Sequence, residues 1–88
     1  KMKYRFLPKG VCSRQIEFEL NDGKISHVVF CGGCNGSLKA IAKLIDGMDA
    51  DAVVELLAGN TCGYKTTSCA DQLTIAIREA QQKQKKAV

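Results

Sequence analysis

The sequence lacks the features that identify several large classes of protein. It has no long apolar run, so we expect no helix that crosses a membrane and no membrane partner. It shows no charged start followed by an apolar stretch and small residues, so we expect no secretory signal peptide. It contains no P-loop, no paired carboxylates and no Ser/His/Asp set, and it has a single proline and a single histidine. Several common enzyme signatures are therefore missing.

Positive charge is concentrated at the two ends of the chain, whose formal net charge is +4. Lys83, Lys85 and Lys86 lie near the C-terminal end, where the dipole of a helix favours cations. No aromatic residues alternate with these lysines, as they would in a protein that stacks on single-stranded nucleic acid. We therefore expect a solvated helix end there, and we expect no nucleic-acid partner.

The length of 88 residues predicts one domain over residues 1–88, with flexible ends at residues 1–3 and 82–88. A chain of this size buries only about 60–65% of the surface that its unfolded form exposes. The core is therefore thin, and a metal ion, a disulfide or a partner subunit would stabilise it. The five cysteines are an odd number, which is less typical of a secreted disulfide scaffold than of reduced thiols in the cytoplasm.

The first thirty residues predict an antiparallel hairpin that follows an extended basic segment, residues 1–10. Apolar and polar residues alternate over residues 11–20, as in a half-buried strand, and residues 25–30 are rich in β-branched side chains. Asp22 and Gly23 suit the positive φ angles of a tight turn. These patterns predict two strands joined by that turn.

The register of this hairpin stays open at the level of the sequence. If Asp22 and Gly23 form a two-residue loop, Leu20 faces Ile25 and Phe18 faces His27. A bulged three-residue loop would shift the pairing by one residue and exchange the two faces. We expect His27 to be packed or solvated in its strand rather than to bind a metal.

Three helices are predicted after the hairpin. The first begins near Ser37 and ends at Gly47, and the second runs from Asp49 to Gly59. The third begins at residues 68–70. Its apolar positions have helical spacing and are Leu73, Ala76, Ile77 and Ala80. The fold class is therefore α+β, with an N-terminal antiparallel hairpin or sheet followed by three helices packed on one face.

The cysteines lie mostly in the loops between these elements, whereas structural cysteines are usually found inside apolar strands and helices. Cys34 and Cys69 each lie just before a predicted helix or in its first turn, where free N–H groups and the helix dipole favour a thiolate. Cys31 and Cys34 form a Cys-x-x-Cys pair, which suits one metal ion or a small disulfide. The other candidates are Cys12 and the pair Cys62 and Cys69, whose spacing is not that of a zinc ribbon.

Three chemical functions fit this pattern. The first is a zinc site with four thiolate ligands, and the second is thiol–disulfide exchange or thiol donation by Cys34 or Cys69. The third is a small-molecule or nucleotide site that holds an anion at a glycine-rich turn and a helix N-terminus. The redox or ligand alternatives involve Cys31, Cys34, Cys69, Gly32, Gly33, Asn35, Gly36 and Asp71.

Four short motifs resemble those of the TSCPD domain family. Residues 67–71, Thr-Ser-Cys-Ala-Asp, resemble the family's signature, with Ala70 in place of its proline. Alanine also suits the first turn of a helix, so this departure is mild. Two further stretches resemble segments of the family in order and context: Gly33-Cys34-Asn35-Gly36-Ser37-Leu38, like its glycine-rich turn into a helix, and Leu57-Ala58-Gly59-Asn60-Thr61-Cys62-Gly63, like its segment ahead of the signature. Val11-Cys12-Ser13-Arg14 resembles the start of a strand in the small stand-alone members.

The resemblance implies a set of four cysteines at Cys12, Cys34, Cys62 and Cys69, with Cys31 outside it. The domain is also similar to the C-terminal module of adenosylcobalamin-dependent ribonucleotide reductases, which implies a link to nucleotide reduction. A chain of this length cannot hold the reductase barrel or its cobalamin site, so we do not expect a reductase. We expect a small zinc-binding cysteine domain, with a thiol-donating accessory of a nucleotide-reducing enzyme as the alternative.

Two structural expectations follow. Cys12, Cys34, Cys62 and Cys69 should approach one another in the fold, with Cys31 to one side. A homodimer should form through the sheet or through the apolar side of the last helix, because the core is thin and the strand pattern predicts apolar residues on both faces of the hairpin. Those residues are Ile16, Phe18 and Leu20 on one strand and Val28 and Phe30 on the other.

Overall fold

A computed structural model describes residues 3–11, 13–32, 35–60 and 67–86, without the side chains of Asn35 and Lys86. Cys12, Gly33, Cys34 and Cys62 lie outside the described residues. Three strands precede three helices, which confirms the α+β prediction. The elements are β1 (Lys3–Phe6), β2 (Gln15–Asn21), β3 (Lys24–Cys31), α1 (Asn35–Ile45), α2 (Ala50–Leu57) and α3 (Cys69–Lys86).

The three strands form one antiparallel sheet in the order β1-β2-β3. Asp22 and Gly23 have φ angles of 54° and 76°, so both adopt the left-handed conformation of a two-residue hairpin turn. Leu20 accordingly lies opposite Ile25, which is the first of the two registers that the sequence allowed.

A β-bulge interrupts the second half of this hairpin. Glu19 pairs with Ser26 and Glu17 pairs with Val29, so two residues of β3 lie opposite Phe18. His27 is one of these two residues and has a φ angle of 52°. The extra residue changes the alternation of side chains along β3. Ile25 and Val28 are therefore both buried, although they are three residues apart.

The bulge brings the apolar residues of the hairpin to one face of the sheet. Ile16 pairs directly with Phe30, so the two side chains share a face. The expectation of apolar residues on both faces is therefore wrong. The opposite face is polar, and there the Lys3 ammonium lies 3.7 Å from the Glu17 carboxylate.

The apolar face of the sheet packs against all three helices in a single core. Phe18 and Leu20 are fully buried within it. The helices contribute Ile45, Ala50, Val53, Val54, Leu73, Ala76, Ile77 and Ala80. The apolar stripe predicted for α3 is thus confirmed as core, and the helices lie on one side of the sheet.

The connection between α1 and α2 covers part of the outer edge of β3. The Gly47 N–H donates to the Ile25 carbonyl at 2.7 Å, and the Ile25 N–H donates to the Met48 carbonyl at 2.9 Å. The His27 N–H donates to the Asp46 carboxylate at 3.0 Å. An edge strand with unpaired N–H and C=O groups invites association with other chains, and these bonds satisfy the first half of this edge.

One helix start differs from the predictions, because α1 begins at Asn35 rather than near Ser37. Helix α3 continues to Lys86, and the flexibility expected of residues 82–88 stays a prediction. Glutamine and lysine have high helix propensity, which explains why a polar segment extends the helix. None of the helices in the described parts of the chain is long and apolar enough to span a membrane.

Candidate functional site

The first turn of α3 is the centre of the candidate site. The side chain of Ser68 caps the helix, because its Oγ accepts the Asp71 N–H at 3.1 Å while its carbonyl accepts the Gln72 N–H at 2.8 Å. Cys69 is therefore the first helical residue and Ser68 is the cap. The Cys69 side chain is buried at the positive end of the helix dipole, with 8% of the residue exposed.

The Cys69 thiol contacts a residue from the opposite end of the chain. Its Sγ lies 3.0 Å from the Oγ of Ser13, and Ser13 is 3% exposed. Fifty-six positions separate the two residues in sequence. Ser13 directly follows Cys12, which is a predicted ligand. The contact therefore connects the residue next to Cys12 with the thiol of Cys69, a second predicted ligand.

A second connection joins the segment before β2 to α3. The Lys9 N–H donates to the Gln72 side-chain carbonyl at 3.2 Å, and the Gln72 amide donates to the Thr67 hydroxyl at 3.0 Å. Gln72 is a buried polar residue whose amide group is satisfied at both ends. Contacts with the start of α3 therefore exist on both sides of Cys12 in the sequence, at Lys9 and at Ser13.

Asp71 holds the chain that precedes α3. Its carboxylate accepts the Gly59 N–H at 2.7 Å and the Thr67 hydroxyl at 2.6 Å. These two hydrogen bonds, that of Thr67 first, lower the pKa of Asp71 from 3.8, and burial opposes them. Ser68 adds a hydrogen bond from its hydroxyl to the Asn60 carbonyl. Both flanks of the segment that carries Cys62 are thereby attached to the first turn of α3.

The end of β3 lies beside Arg14, the residue that follows Ser13. The Arg14 N–H donates to the Cys31 carbonyl at 2.7 Å, and Cys31 is half-buried. Gly32 has a φ angle of 80°, and a β-carbon at this position would lie 3.0 Å from the Arg14 Nε. The positive φ favours glycine here, and a β-carbon would also require the Arg14 side chain to shift slightly.

The structure thus describes part of the predicted site. Cys31, Gly32, Gly36, Cys69 and Asp71 are among the described residues, as is the backbone of Asn35. Cys12, Gly33, Cys34 and Cys62 are not, so the convergence of the four cysteines stays a prediction. Across residues 3–11, 13–32, 35–60 and 67–86, no group of three or more His, Cys, Asp or Glu side chains could hold a metal ion.

The side chain of His27 lies on the polar face of the sheet. Its Nδ1 lies 3.3 Å from the Glu19 carboxylate, and its side chain is 72% exposed. The sequence predicted a histidine that is either packed or solvated, and the exposed side chain agrees with the second alternative.

Sequence reasoning missed Ser13, Gln72 and Arg14. Ser13 and Arg14 stood within the motif around Cys12, but nothing in the sequence indicated that Ser13 is buried against a thiol. Gln72 gave a weak signal, because it is a polar residue beside Leu73 on the face of α3 that the apolar spacing predicts to be buried.

Comparison with known proteins gives one match. Residues 1–81 match the TSCPD domain. No curated protein and no solved structure matches the chain.

Proposed function

This chain belongs to the TSCPD domain family, and from this premise we propose that it binds one Zn²⁺ ion through four thiolates. The proposed ligands are Cys12, Cys34, Cys62 and Cys69. The observation that carries the proposal is the 3.0 Å contact between Ser13 and the Cys69 sulfur, together with the bonds that attach neighbouring segments to the same helix turn.

Two of the other three ligands are flanked by described residues that contact the start of α3. For Cys12, these contacts are Ser13 with Cys69 and Lys9 with Gln72. For Cys62, they are Gly59 and Thr67 with Asp71, and Asn60 with Ser68. Flanks that are bonded to one helix turn support ligation around that turn, because consecutive Cα atoms are only about 3.8 Å apart.

The support for Cys34 comes from the end of β3. Cys31 pairs through its carbonyl with Arg14, the residue after Ser13, and Cys34 follows three positions later. Helix α1 begins at Asn35, directly after Cys34. We propose that Cys31, at the end of the strand, is not a ligand.

The chemistry of the donor set fits zinc. Zinc in structural sites is four-coordinate and is commonly bound by four cysteines at about 2.3 Å, and four thiolates leave such a centre with a net negative charge. Helix α3 begins at Cys69 and α1 begins after Cys34, so a positive helix end is adjacent in sequence to two of the ligands. The Arg14 guanidinium, which lies against Gly32, adds positive charge nearby. When bound, zinc would supply folding free energy to a thin core.

The alternative functions have less support from the described residues. Thiol–disulfide exchange needs an accessible thiolate, and the burial of Cys69 disfavours that role for this residue. Asp71, included in the ligand alternative, has its two carboxylate oxygens engaged by Gly59 and Thr67. A cytoplasmic location would keep the thiols reduced. The association with a nucleotide-reducing enzyme rests on the family resemblance alone.

We also propose that the domain forms a homodimer through the second half of β3. Val29 is 49% exposed there, beside a shallow apolar cavity of about 230 Å³ between β3 and α1. The earlier alternatives are less favourable, because the apolar sides of the sheet and of α3 are both used in the core of the chain itself.

Metal analysis tests the zinc proposal. The protein is purified anaerobically without an affinity tag, and zinc is measured per chain by mass spectrometry of the metal. We expect one equivalent in the wild type, and we expect Cys12→Ser, Cys34→Ser, Cys62→Ser and Cys69→Ser each to lose most of it.

Cys31→Ser is the matched control, because it removes a thiol from the same part of the chain while leaving the proposed ligands intact. It should keep one equivalent of zinc. A wild type without zinc, or a Cys31→Ser variant that loses as much zinc as the other four, would show that the proposed ligand set is wrong.

A further inference from the structure

We infer that Ser13 is a positioning residue for the thiolate of Cys69, acting through a hydrogen bond from its hydroxyl to the sulfur. The inference rests on the proposed zinc site, and it adds a residue that coordinates no metal itself. It follows from the contact between the two side chains and from their burial.

The direction of the hydrogen bond follows from the chemistry of the two groups. A serine hydroxyl both donates and accepts, whereas a thiolate only accepts. When Cys69 is a thiolate, Ser13 is therefore the donor across the 3.0 Å separation. Hydrogen bonds to an ionised acceptor are roughly twice as strong as those between neutral groups, and both of these residues are buried away from competing water.

The bond would affect a ligand in two ways. It restricts the rotation of the Cys69 side chain, so the sulfur already points in one direction before a metal arrives. It also withdraws negative charge from the sulfur, which reduces the repulsion among four thiolates around one ion. Hydrogen-bonding partners of metal ligands typically change metal affinity by about 10–100-fold when they are removed.

Ser13→Ala tests the inference, with Ser13→Thr as the conservative variant and Thr74→Val as the matched control. Thr74 is also a buried hydroxyl, and it lies on α3, where it donates to the Asp71 carbonyl at 2.6 Å. Thr74→Val removes this hydroxyl, whose hydrogen bond goes to Asp71 rather than to Cys69. Zinc affinity is measured by competition with a chelator, and the sulfur-to-metal charge-transfer absorption is measured after substitution with Co²⁺.

We expect Ser13→Ala to lower the zinc affinity by about tenfold or more and to shift the charge-transfer band. Ser13→Thr should retain the wild-type band because it keeps the hydroxyl, even if its methyl group lowers stability. Thr74→Val should leave the band unchanged. Circular dichroism of each variant confirms that it folds.

The outcomes separate this inference from the zinc proposal. If the wild type binds zinc with four thiolates and Ser13→Ala matches it in both affinity and spectrum, the inference is wrong and the zinc site stands. If Ser13→Thr shows the same spectral change as Ser13→Ala, Ser13 acts through packing, and the inference is again wrong. If the wild type binds neither zinc nor Co²⁺, both proposals fail.

Discussion

At the scale of single residues, the carboxylate of Asp71 joins the end of α2 to the start of α3. It does so with two hydrogen bonds, from the Gly59 N–H and from the Thr67 hydroxyl. Asp71 lies in the first turn of α3, where a carboxylate also interacts favourably with the positive end of the helix dipole. The structure adds a specific role, because the residue attaches the preceding connection to the helix.

This role predicts a pH-dependent loss of stability in Asp71→Asn. An amide lacks the charge that strengthens both bonds, so we expect the free energy of unfolding at pH 7 to fall by about 1 kcal/mol. The pKa of Asp71 is lower in the folded protein than its ordinary value of 3.8. The stabilisation that the ionised carboxylate gives is therefore fully present above pH 3.8, and it is lost as the pH falls through the lowered pKa of the folded state. The difference between variant and wild type should therefore shrink in acid.

Urea unfolding at pH 7 and near pH 3 measures this difference. Glu79→Gln, an exposed carboxylate on the same helix, is the control and should change stability little at either pH. A difference between Asp71→Asn and the wild type that stays constant over this pH range would contradict the assigned role.

At the scale of the structural elements, the bulge at His27 decides which way the second half of β3 faces. Without it, Val28 would point away from the core. The bulge requires a left-handed backbone at His27, which costs most residues roughly 1–2 kcal/mol relative to glycine. The Asp46 carboxylate, which accepts the His27 N–H, helps to hold this conformation.

The left-handed backbone at His27 predicts that glycine at this position will not lower the stability of the protein. His27→Gly should be as stable as the wild type or more stable, because glycine adopts a positive φ without steric cost. His27→Val should lose about 1 kcal/mol or more of unfolding free energy. Thermal unfolding of both variants measures the effect.

Ser26→Gly is the control for this experiment. Ser26 precedes His27 in the same strand and is not among the described residues with a positive φ. Glycine there should cost roughly 0.5–1 kcal/mol, as in an ordinary strand. If glycine destabilises both positions equally, the left-handed conformation at His27 is not a source of strain.

At the scale of the whole molecule, the proposed zinc ion would act as part of the core. A ligand that binds only the folded state adds about 2.7 kcal/mol to the unfolding free energy when its free concentration is 100 times its Kd. We therefore expect removal of zinc with a chelator to lower the urea midpoint by a corresponding amount, and we expect added zinc to restore it.

Cys31→Ser and Cys69→Ser form the comparison for this measurement. The first should keep the response of stability to zinc, and the second should lose most of it. An equal response in the two variants would mean that zinc stabilises the chain at some other place.

The proposed dimer is also a property of the whole molecule. Sedimentation at high micromolar concentration should show a dimer for the wild type. Val29→Lys should shift it to a monomer, because a charge would replace an exposed apolar side chain in the second half of β3. Leu44→Lys, at an exposed position on α1 that is not among the residues of that cavity, should not. A monomeric wild type would rule the dimer out.

The sequence by itself determined the fold class, the hairpin of β2 and β3, the order of the three helices, the core side of α3 and the family. These depend on local patterns: alternation in β2, the Asp-Gly turn, and the helical spacing of Leu73, Ala76, Ile77 and Ala80. Such patterns act over a few neighbouring residues, so they can be recognised along the chain.

Only the tertiary structure decided the features that depend on distant residues. It selected the two-residue turn, placed a bulge at His27 and buried Ser13 against Cys69. Each depends on contacts between parts of the chain that are far apart: the bulge on the fit of Val28 in the core, and the Ser13 contact on α3 packing beside the start of β2. No local pattern encodes such a contact, because its free energy arises only when both partners have already been brought together by the core.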